Sequence, residues 1–214
     1  MPAANACALS PPTPRDRLVH AAVELFATRG FQAIGLRDLA GHLGLQAGSL
    51  YHHIENKQCL LFELIESALS DLLLTTRRRL KGARNPTERL RRFVQAFVSF
   101  ALLERHRLIL VTREFVNLNE EQQRHADQSK RAHSKLLSDI IAEQYRVKGK
   151  PDAETCLITH AVMGMLYGQL QWSEVQITQQ HLTDLFTGCV MRMIASSQDI
   201  ALREPQDVEE DGFL

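Results

Sequence analysis

Cysteine is scarce in this chain, and the few cysteines lie far apart. The four are Cys7, Cys59, Cys156 and Cys189, and no C-x-x-C pair occurs among them. This spacing fits neither a disulfide-bonded scaffold nor a compact zinc motif, because both need clustered cysteines. We therefore expect a protein of the reducing cytoplasm.

Long apolar runs and an export signal are missing as well. No run approaches the roughly 20 apolar residues that cross a bilayer, and the first fourteen residues lack a basic segment followed by an apolar one. The chain is thus predicted to be soluble, not exported and without membrane contact. An excess of positive charge is also absent, since 25 Lys and Arg balance 25 Asp and Glu. Any contact with nucleic acid must be local and shape-specific.

Motifs of catalysis are not found either. The sequence has no phosphate-binding loop, no G-x-S-x-G elbow, no metal triad and no carboxylate pair at a meaningful spacing, so neither an enzyme nor a cofactor is predicted. Nine histidines raise metal sensing as an alternative. Against it, His106, His125, His133 and His160 form no i, i+4 pair and have no neighbouring cysteine cluster, and we expect no metal site.

What the sequence does contain is helical periodicity, with no alternation typical of strands and no repeat. It predicts an all-α fold. Proline-rich residues 1–14 are expected to be a disordered arm, and residues 199–214 an acidic tail. Between them, residues 15–60 and 61–198 are predicted to form two domains. Helices are expected at 15–29, 36–43, 49–53, 57–80, 90–103, 106–117, 120–146, 152–173 and 179–196.

The most informative stretch runs from Leu36 to Leu61. A short helix, a turn with Gly44 and Gly48, and a second short helix with a polar face make up a helix-turn-helix. Such a unit places polar groups of its second helix in the major groove of DNA. Its predicted core consists of Leu39, Leu43, Leu45, Leu50 and Ile54.

These residues closely resemble the DNA-binding domain of the tetracycline-repressor (TetR) family, over about residues 15–65. The resemblance implies an N-terminal three-helix helix-turn-helix domain followed by a C-terminal helical domain for ligand binding and dimerisation. The first helix, LVHAAVELFATRGF, also matches the family pattern. The positions in register are Leu39-Ala40, Gly44-Leu45, Gly48-Ser49-Leu50-Tyr51, His53-Ile54 and Asn56-Lys57.

The resemblance also implies which residues contact DNA. Base edges are expected to meet Gln46, Ala47 and Ser49, and Arg37 is expected near the backbone or groove wall. Phosphates are expected at Tyr51, His52 and Lys57. Alanine at position 47 departs from the commoner serine or threonine, which leaves open the base read there.

The remaining helices offer candidates for a ligand pocket and a dimer interface. Aromatic residues at helical spacing are usually core, yet the set is large enough to wall an apolar cavity in the region where the family holds its effector. The pocket candidates are Phe93, Phe97, Phe100, Phe115, Met163, Tyr167 and Trp172. The last two helices resemble the family's four-helix dimer interface, with the candidates Leu157, Leu182, Leu185, Phe186, Cys189 and Met193.

Together these features predict a ligand-responsive repressor. As a homodimer it would bind a pseudo-palindromic operator in double-stranded DNA and be released by a small apolar or aromatic effector. A helical dimeric adaptor without sequence-specific DNA binding is the alternative. A basic cluster has two interpretations, a solvated face near the domain junction or a nucleic-acid-binding stripe. Its members are Arg77, Arg78, Arg79, Lys81, Arg84, Arg89, Arg91 and Arg92.

Overall fold

The computed structural model describes residues 13–144, 153–168 and 177–201, with side chains described up to residue 196. Every regular element within these ranges is helical, which confirms the all-α prediction. Parts of two predicted helices, residues 145–146 and 169–173, lie outside the described residues. The elements are α1 Pro14–Arg29, α2 Leu36–His42, α3 Ala47–Leu50, α4 Lys57–Leu80, α5 Pro86–Leu103, α6 Arg105–Ile109, a π turn Leu110–Glu114, a 3-10 turn Phe115–Asn117, α7 Glu120–Gln144, α8 Ala153–Gly168 and α9 Gln179–Ala201.

The chain forms two compact units that are not simply consecutive. The first contains the residues up to Ala68 together with His106–Arg124, and the second contains Leu69–Arg105 and the residues from His125 onwards. Helix α4 therefore contributes its first turns to one unit and its later turns to the other. The boundary that the sequence places after residue 60 stays a prediction.

Helix α1 begins at a capping box. The Thr13 hydroxyl accepts a hydrogen bond from the amide of Asp16, and the Asp16 carboxylate accepts one from the amide of Thr13. The Thr13 hydroxyl also lies 2.7 Å from the Asp16 carboxylate and can donate to it, and this bond together with the one from the Thr13 amide holds the pKa of Asp16 below its usual value. Pro14 occupies the first turn, where no donor is needed, and Gly30 ends the helix at φ +91°. The buried face consists of Leu18, Ala21, Ala22, Leu25, Phe26 and Ala27.

The turn between α2 and α3 depends on Gly44. Its φ is +68°, a left-handed conformation that side-chain-bearing residues rarely adopt. After it, the amide of Leu45 donates to the carbonyl of Ala40 over 2.9 Å and closes the turn. Gly48, which the sequence assigned to the same turn, lies inside α3, where its Cβ position is open space.

Helix α3 is shorter and earlier than predicted, since it spans Ala47–Leu50 rather than residues 49–53. After the helix, the backbone amides of His53 and Ile54 both donate hydrogen bonds to the carbonyl of Leu50. Of the five predicted core residues, Leu39, Leu50 and Ile54 are buried and Leu43 is half-buried. The prediction is wrong for Leu45, which is 39% exposed because it lies directly after the turn.

Helix α4 has the predicted bounds, 24 residues from Lys57 to Leu80. An asparagine directly before a helix is a typical cap, and Asn56 has this role, since its side-chain oxygen accepts from the amide of Cys59 over 2.8 Å. One face of the helix is buried along most of its length. Its members are Leu60, Leu61, Leu64, Ile65, Ala68, Leu69, Leu72, Leu73 and Thr76.

The predicted helix 106–117 is broken into α6, the π turn and the 3-10 turn. The Thr112 hydroxyl lies within hydrogen-bonding distance of the carbonyls of Leu108 and Ile109, at 3.2 and 3.1 Å. In the π turn the backbone pairing is i→i−5 instead of i→i−4, and the apolar periodicity of the sequence does not reveal this change.

A polar pair links two helices in the core of the second unit. His133 of α7 is buried, and its Nε2 lies 3.1 Å from the hydroxyl oxygen of Thr76 in α4. The ring of Phe93 in α5 stacks on the imidazole with the centroids 4.8 Å apart. Burial lowers the pKa of His133 to about 3, so the ring is neutral.

We expect Gly44→Ala to lower the free energy of unfolding by about 1–2 kcal/mol, because an alanine is strained in the left-handed region. Gly41→Ala is the matched control. Gly41 lies in α2, and its Cβ position has nothing within 4 Å, so alanine there should raise the free energy of unfolding by about 0.5–1 kcal/mol. Urea unfolding measures both. Equal effects at the two positions would contradict the assignment of the turn.

Buried His133 should make the fold acid-sensitive. Its folded-state pKa is about 3, whereas an unfolded histidine titrates at about 6.5, so the unfolded chain alone gains a proton between these values. The free energy of unfolding therefore falls as the pH falls below about 6.5, by about 2 kcal/mol at about pH 5. Urea unfolding at both pH values measures the loss. The control is His133→Gln, which does not titrate, and an equal loss in both proteins would refute the expectation.

Candidate nucleic-acid interface and ligand region

Helix α3 has uncharged polar side chains near the surface and one buried leucine, Leu50. Gln46 precedes its first residue and is exposed, and its side chain makes no cap hydrogen bond. Ala47 and Ser49 are half-buried within the helix. Because Leu50 is fully buried beneath them, the helix is fixed although four residues are too few to be stable alone.

Two further residues predicted to meet DNA follow α3 directly. Tyr51 is 61% exposed, which is unusual for so large an aromatic side chain, and His52 is exposed beside it. Arg37, in the first turn of α2, is exposed as well. All of these side chains are thus accessible to a partner, and their contacts with DNA stay predictions.

Lys57 differs in its surroundings from the other predicted DNA contacts. Its ammonium lies 4.0 Å from the ring centroid of Phe31 and 5.9 Å from that of Phe26. Burial lowers the pKa of Lys57, while the nearby carboxylates of Glu114 and Asp38 oppose that shift. The side chain therefore has a structural role at the start of α4, whatever contact it makes with a phosphate.

A polar network that the sequence did not predict joins distant parts of the first unit. The Gln58 amide donates to the carbonyl of Asn117 over 2.7 Å and to Gln122 over 3.0 Å. The side chain of Gln32 donates to that of Asn117 over 2.8 Å. Asn117 in turn donates to the buried carboxylate of Glu114. No spacing in the sequence signals these bonds, because up to 85 residues separate the partners.

The predicted ligand residues fall into different parts of the structure. Phe93 and Phe97 are fully buried in the second unit, and Phe97 meets Tyr167 edge to face, with the ring centroids 5.0 Å apart. Burial raises the pKa of Tyr167 to about 12. Phe100 and Met163 are buried in the same unit, Phe115 belongs to the first unit, and Trp172 lies outside the described residues.

The predicted dimer residues lie on the outer sides of α8 and α9. Leu157 is 69% exposed, and Leu185 and Met193 are also exposed. Leu182, Phe186 and Cys189 are half-buried. The other side of α9 buries Val190 and Ile194. The single chain thus leaves apolar side chains of two helices in water.

Half of the arginine-rich cluster makes side-chain hydrogen bonds or ion pairs within the second unit. Arg92 donates to the Glu88 carboxylate and to two backbone carbonyls, and Arg91 pairs with Asp184 over 2.9 Å. Arg89 pairs with Glu143, and Arg79 reaches the Ser99 hydroxyl. The exposed members are Arg77, Arg78, Lys81 and Arg84, together with paired Arg91.

Neither a metal centre nor a membrane segment is found in the part of the chain that the structure describes. No three His, Cys, Asp or Glu side chains there come together where they could hold a metal ion. Nor is any helix in that part long and apolar enough to cross a bilayer.

Comparison with known proteins finds family matches for both the N-terminal and the C-terminal part of the chain. The family described as "Bacterial regulatory proteins, tetR family" matches residues 18–64, and "Tetracyclin repressor-like, C-terminal domain" matches residues 83–194. The transcriptional repressor KstR2 of Mycobacterium tuberculosis is 28% identical over 193 residues, covering 81% of this chain and 92% of KstR2.

Solved structures share the fold. KstR2 itself superposes with a TM-score of 0.74 at 20% identity, covering 87% of this chain and 96% of that one. A tetR-family protein from Rhodococcus RHA1 gives 0.77 at 19% identity, with 84% and 96% covered. AibR, solved with isovaleryl coenzyme A and operator DNA, gives 0.70 at 22%, with 82% and 96% covered. Since both parts of the chain match their family descriptions, the chain belongs to the tetR family of transcriptional regulators.

Proposed function

We propose that this chain is a ligand-responsive repressor that binds a pseudo-palindromic operator as a homodimer and leaves it when a small apolar effector binds. The observation that carries the proposal is the exposure of Gln46, Tyr51 and His52 around a four-residue helix whose Leu50 is fully buried. A rigid base with uncharged polar groups above it suits major-groove recognition.

The exposed residues divide into two roles. Gln46 opens α3 with an uncommitted amide, which suits the paired donor and acceptor of an adenine edge. Tyr51 and His52 offer a hydroxyl and a ring N–H, which suit phosphate oxygens and position the protein without reading sequence. Ser49 and Ala47 are candidates for further base contacts, and Arg37 for the backbone.

The small size of the surface around α3 that would contact DNA is the reason to propose a dimer. One short helix contacts too few base pairs for selectivity, whereas two-fold symmetry doubles the contact. The exposed apolar side chains of α8 and α9 supply the interface in this proposal, since burying Leu157 and Leu185 removes large apolar surfaces from water.

The proposed effector is an apolar molecule held in the second unit. Phe97 meets Tyr167 there, Phe93 and Phe97 lie beside His133, and burial holds the Tyr167 phenol neutral. Names of relatives support this chemistry, because KstR2 is called a ketosteroid transcriptional regulator and AibR was solved with isovaleryl coenzyme A. Both names refer to molecules with a hydrocarbon part.

Release of DNA would pass through α4. This helix runs without a break from Lys57 in the first unit to Leu80 in the second, and it is buried in both. An effector that favours one position of its later turns therefore biases where its first turns hold α2 and α3. Effector binding that leaves operator affinity unchanged would count against this mechanism.

The two recognition roles predict different effects on DNA binding. Gln46→Ala should change which base is preferred in a binding-site selection. Tyr51→Phe should instead lower the affinity for all DNA sequences alike, roughly tenfold, because one hydrogen bond to a phosphate is lost. Gln128→Ala, at an exposed glutamine of α7, is the control and should do neither. Fluorescence anisotropy over a salt titration measures the affinities. Binding of random and selected DNA with equal affinity would favour the adaptor alternative.

The dimer interface predicts a second pair of variants. Leu157→Asp and Leu185→Asp should each raise the dimer dissociation constant at least about a hundredfold, because a charge would be buried without a partner. Leu103→Asp is the matched control, since Leu103 is 78% exposed at the end of α5. Sedimentation velocity measures association, and circular dichroism checks folding. Dimers that persist in both α8 and α9 variants would refute the proposed interface.

A further inference from the structure

The buried imidazole of His133 has one nitrogen that the fold uses and one that it does not. Only 2% of the residue is exposed, and rings of Phe93 and Phe97 lie 4.8 and 6.3 Å from its own, centroid to centroid. Nε2 contacts Thr76, whereas Nδ1 has no hydrogen-bond partner. A polar atom buried without a partner is uncommon and calls for an explanation.

The hydrogen bonds of Thr76 decide which nitrogen carries the proton. Its hydroxyl donates to the carbonyl of Leu72 over 2.8 Å, so the single hydroxyl hydrogen is already used. The hydroxyl oxygen must then accept from Nε2–H of His133 over 3.1 Å. Since burial keeps the ring neutral, Nδ1 holds a lone pair and can only accept a hydrogen bond.

We propose that Nδ1 of His133 is the polar recognition point of the effector and accepts a hydrogen bond from a hydroxyl or N–H group on an otherwise apolar molecule. This inference rests on the proposed ligand-responsive function and specifies its ligand. The skeleton of the molecule lies among Phe93 and Phe97 of α5 and Tyr167 of α8, the aromatic side chains around the site.

The lone pair on Nδ1 also determines which class of ligand can bind. A carboxylate or carbonyl oxygen would meet the Nδ1 lone pair with its own and be repelled, whereas a donor satisfies an acceptor that the apolar surroundings leave bare. Apolar sites with one unmade hydrogen bond discriminate strongly, because a ligand without the donor leaves the buried atom unpaired. The effector is therefore a neutral, mainly hydrocarbon molecule with one donor directed at His133.

Binding at Nδ1 also has a consequence for α4. A donor at Nδ1 polarises the ring and strengthens the bond from Nε2–H to Thr76, since hydrogen bonds in a chain reinforce one another. Thr76 lies in α4, the helix that begins at Lys57 in the DNA-binding unit. The ligand thereby acts on the helix that carries the proposed signal.

Three substitutions of His133 separate recognition from packing. Asn places a carbonyl oxygen near the position of Nδ1, whereas Gln reaches the position of Nε2 and leaves no acceptor at Nδ1. Phe keeps a ring and removes both polar atoms. If Nδ1 recognises the ligand, His133→Asn retains the preference for a donor, and His133→Gln and His133→Phe lose it.

The test compares molecules that differ only by hydroxyl against methyl. The probes are 2-naphthol with 2-methylnaphthalene, and p-cresol with p-xylene, titrated into the full-length wild-type protein and the three variants by calorimetry. We expect the wild type to bind the hydroxyl member of at least one pair roughly tenfold more tightly. Nitrogen-15 spectra of histidine-labelled protein should show a bare Nδ1 in the free protein that shifts only with the hydroxyl probe.

Several outcomes would overturn the inference. Equal affinity for both members of each pair, or no binding of any probe, would show that His133 is a packed core residue only. An Nδ1 signal already shifted in the free protein would assign the partner to an internal water. A preference retained in His133→Gln would exclude Nδ1 as the acceptor. Selective operator binding in the same preparation separates these failures from failure of the regulator proposal itself.

Discussion

Burial of a single long helix in two cores is the constraint on which this structure depends. The first turns of α4 place Leu60, Leu61 and Leu64 in the core of one unit, and its later turns place Leu72 and Thr76 in that of the other. Each fully buried leucine stabilises its unit by about 1.5–3 kcal/mol. The cores of both units therefore include side chains of this helix.

The recognition surface depends on this packing rather than on its own helix propensity. A helix of four residues forms no stable structure in water, and α3 is held because it packs against α2 and its Leu50 is fully buried. The left-handed Gly44 sets the turn between them. Lys57 and its two phenylalanine rings then fix the chain at the end of the motif. The exposed polar groups are thereby held in place by the packing of these residues.

In the interior of the second unit, the polar pair of His133 and Thr76 is buried among aromatic and aliphatic side chains. The hydrogen bond between His133 and Thr76 gives α4 and α7 a defined register. The Nδ1 atom of His133 has no hydrogen-bond partner, which is unusual for a buried polar atom. Because apolar burial is non-directional, such a polar atom is what allows a hydrophobic site to tell similar molecules apart.

Local patterns in the sequence were sufficient for the helices, the Asn56 cap, the Gly44 turn and the family, because each depends on residues a few positions apart. They did not predict three features of the structure. A π turn interrupts a periodic helix, Leu45 is exposed although it lies in a run of apolar residues, and Asn117 joins residues from three parts of the chain. His133 was visible in the sequence only as one of nine histidines. Only the tertiary structure, which brings Thr76 to one of its nitrogens and leaves the other bare, could distinguish it.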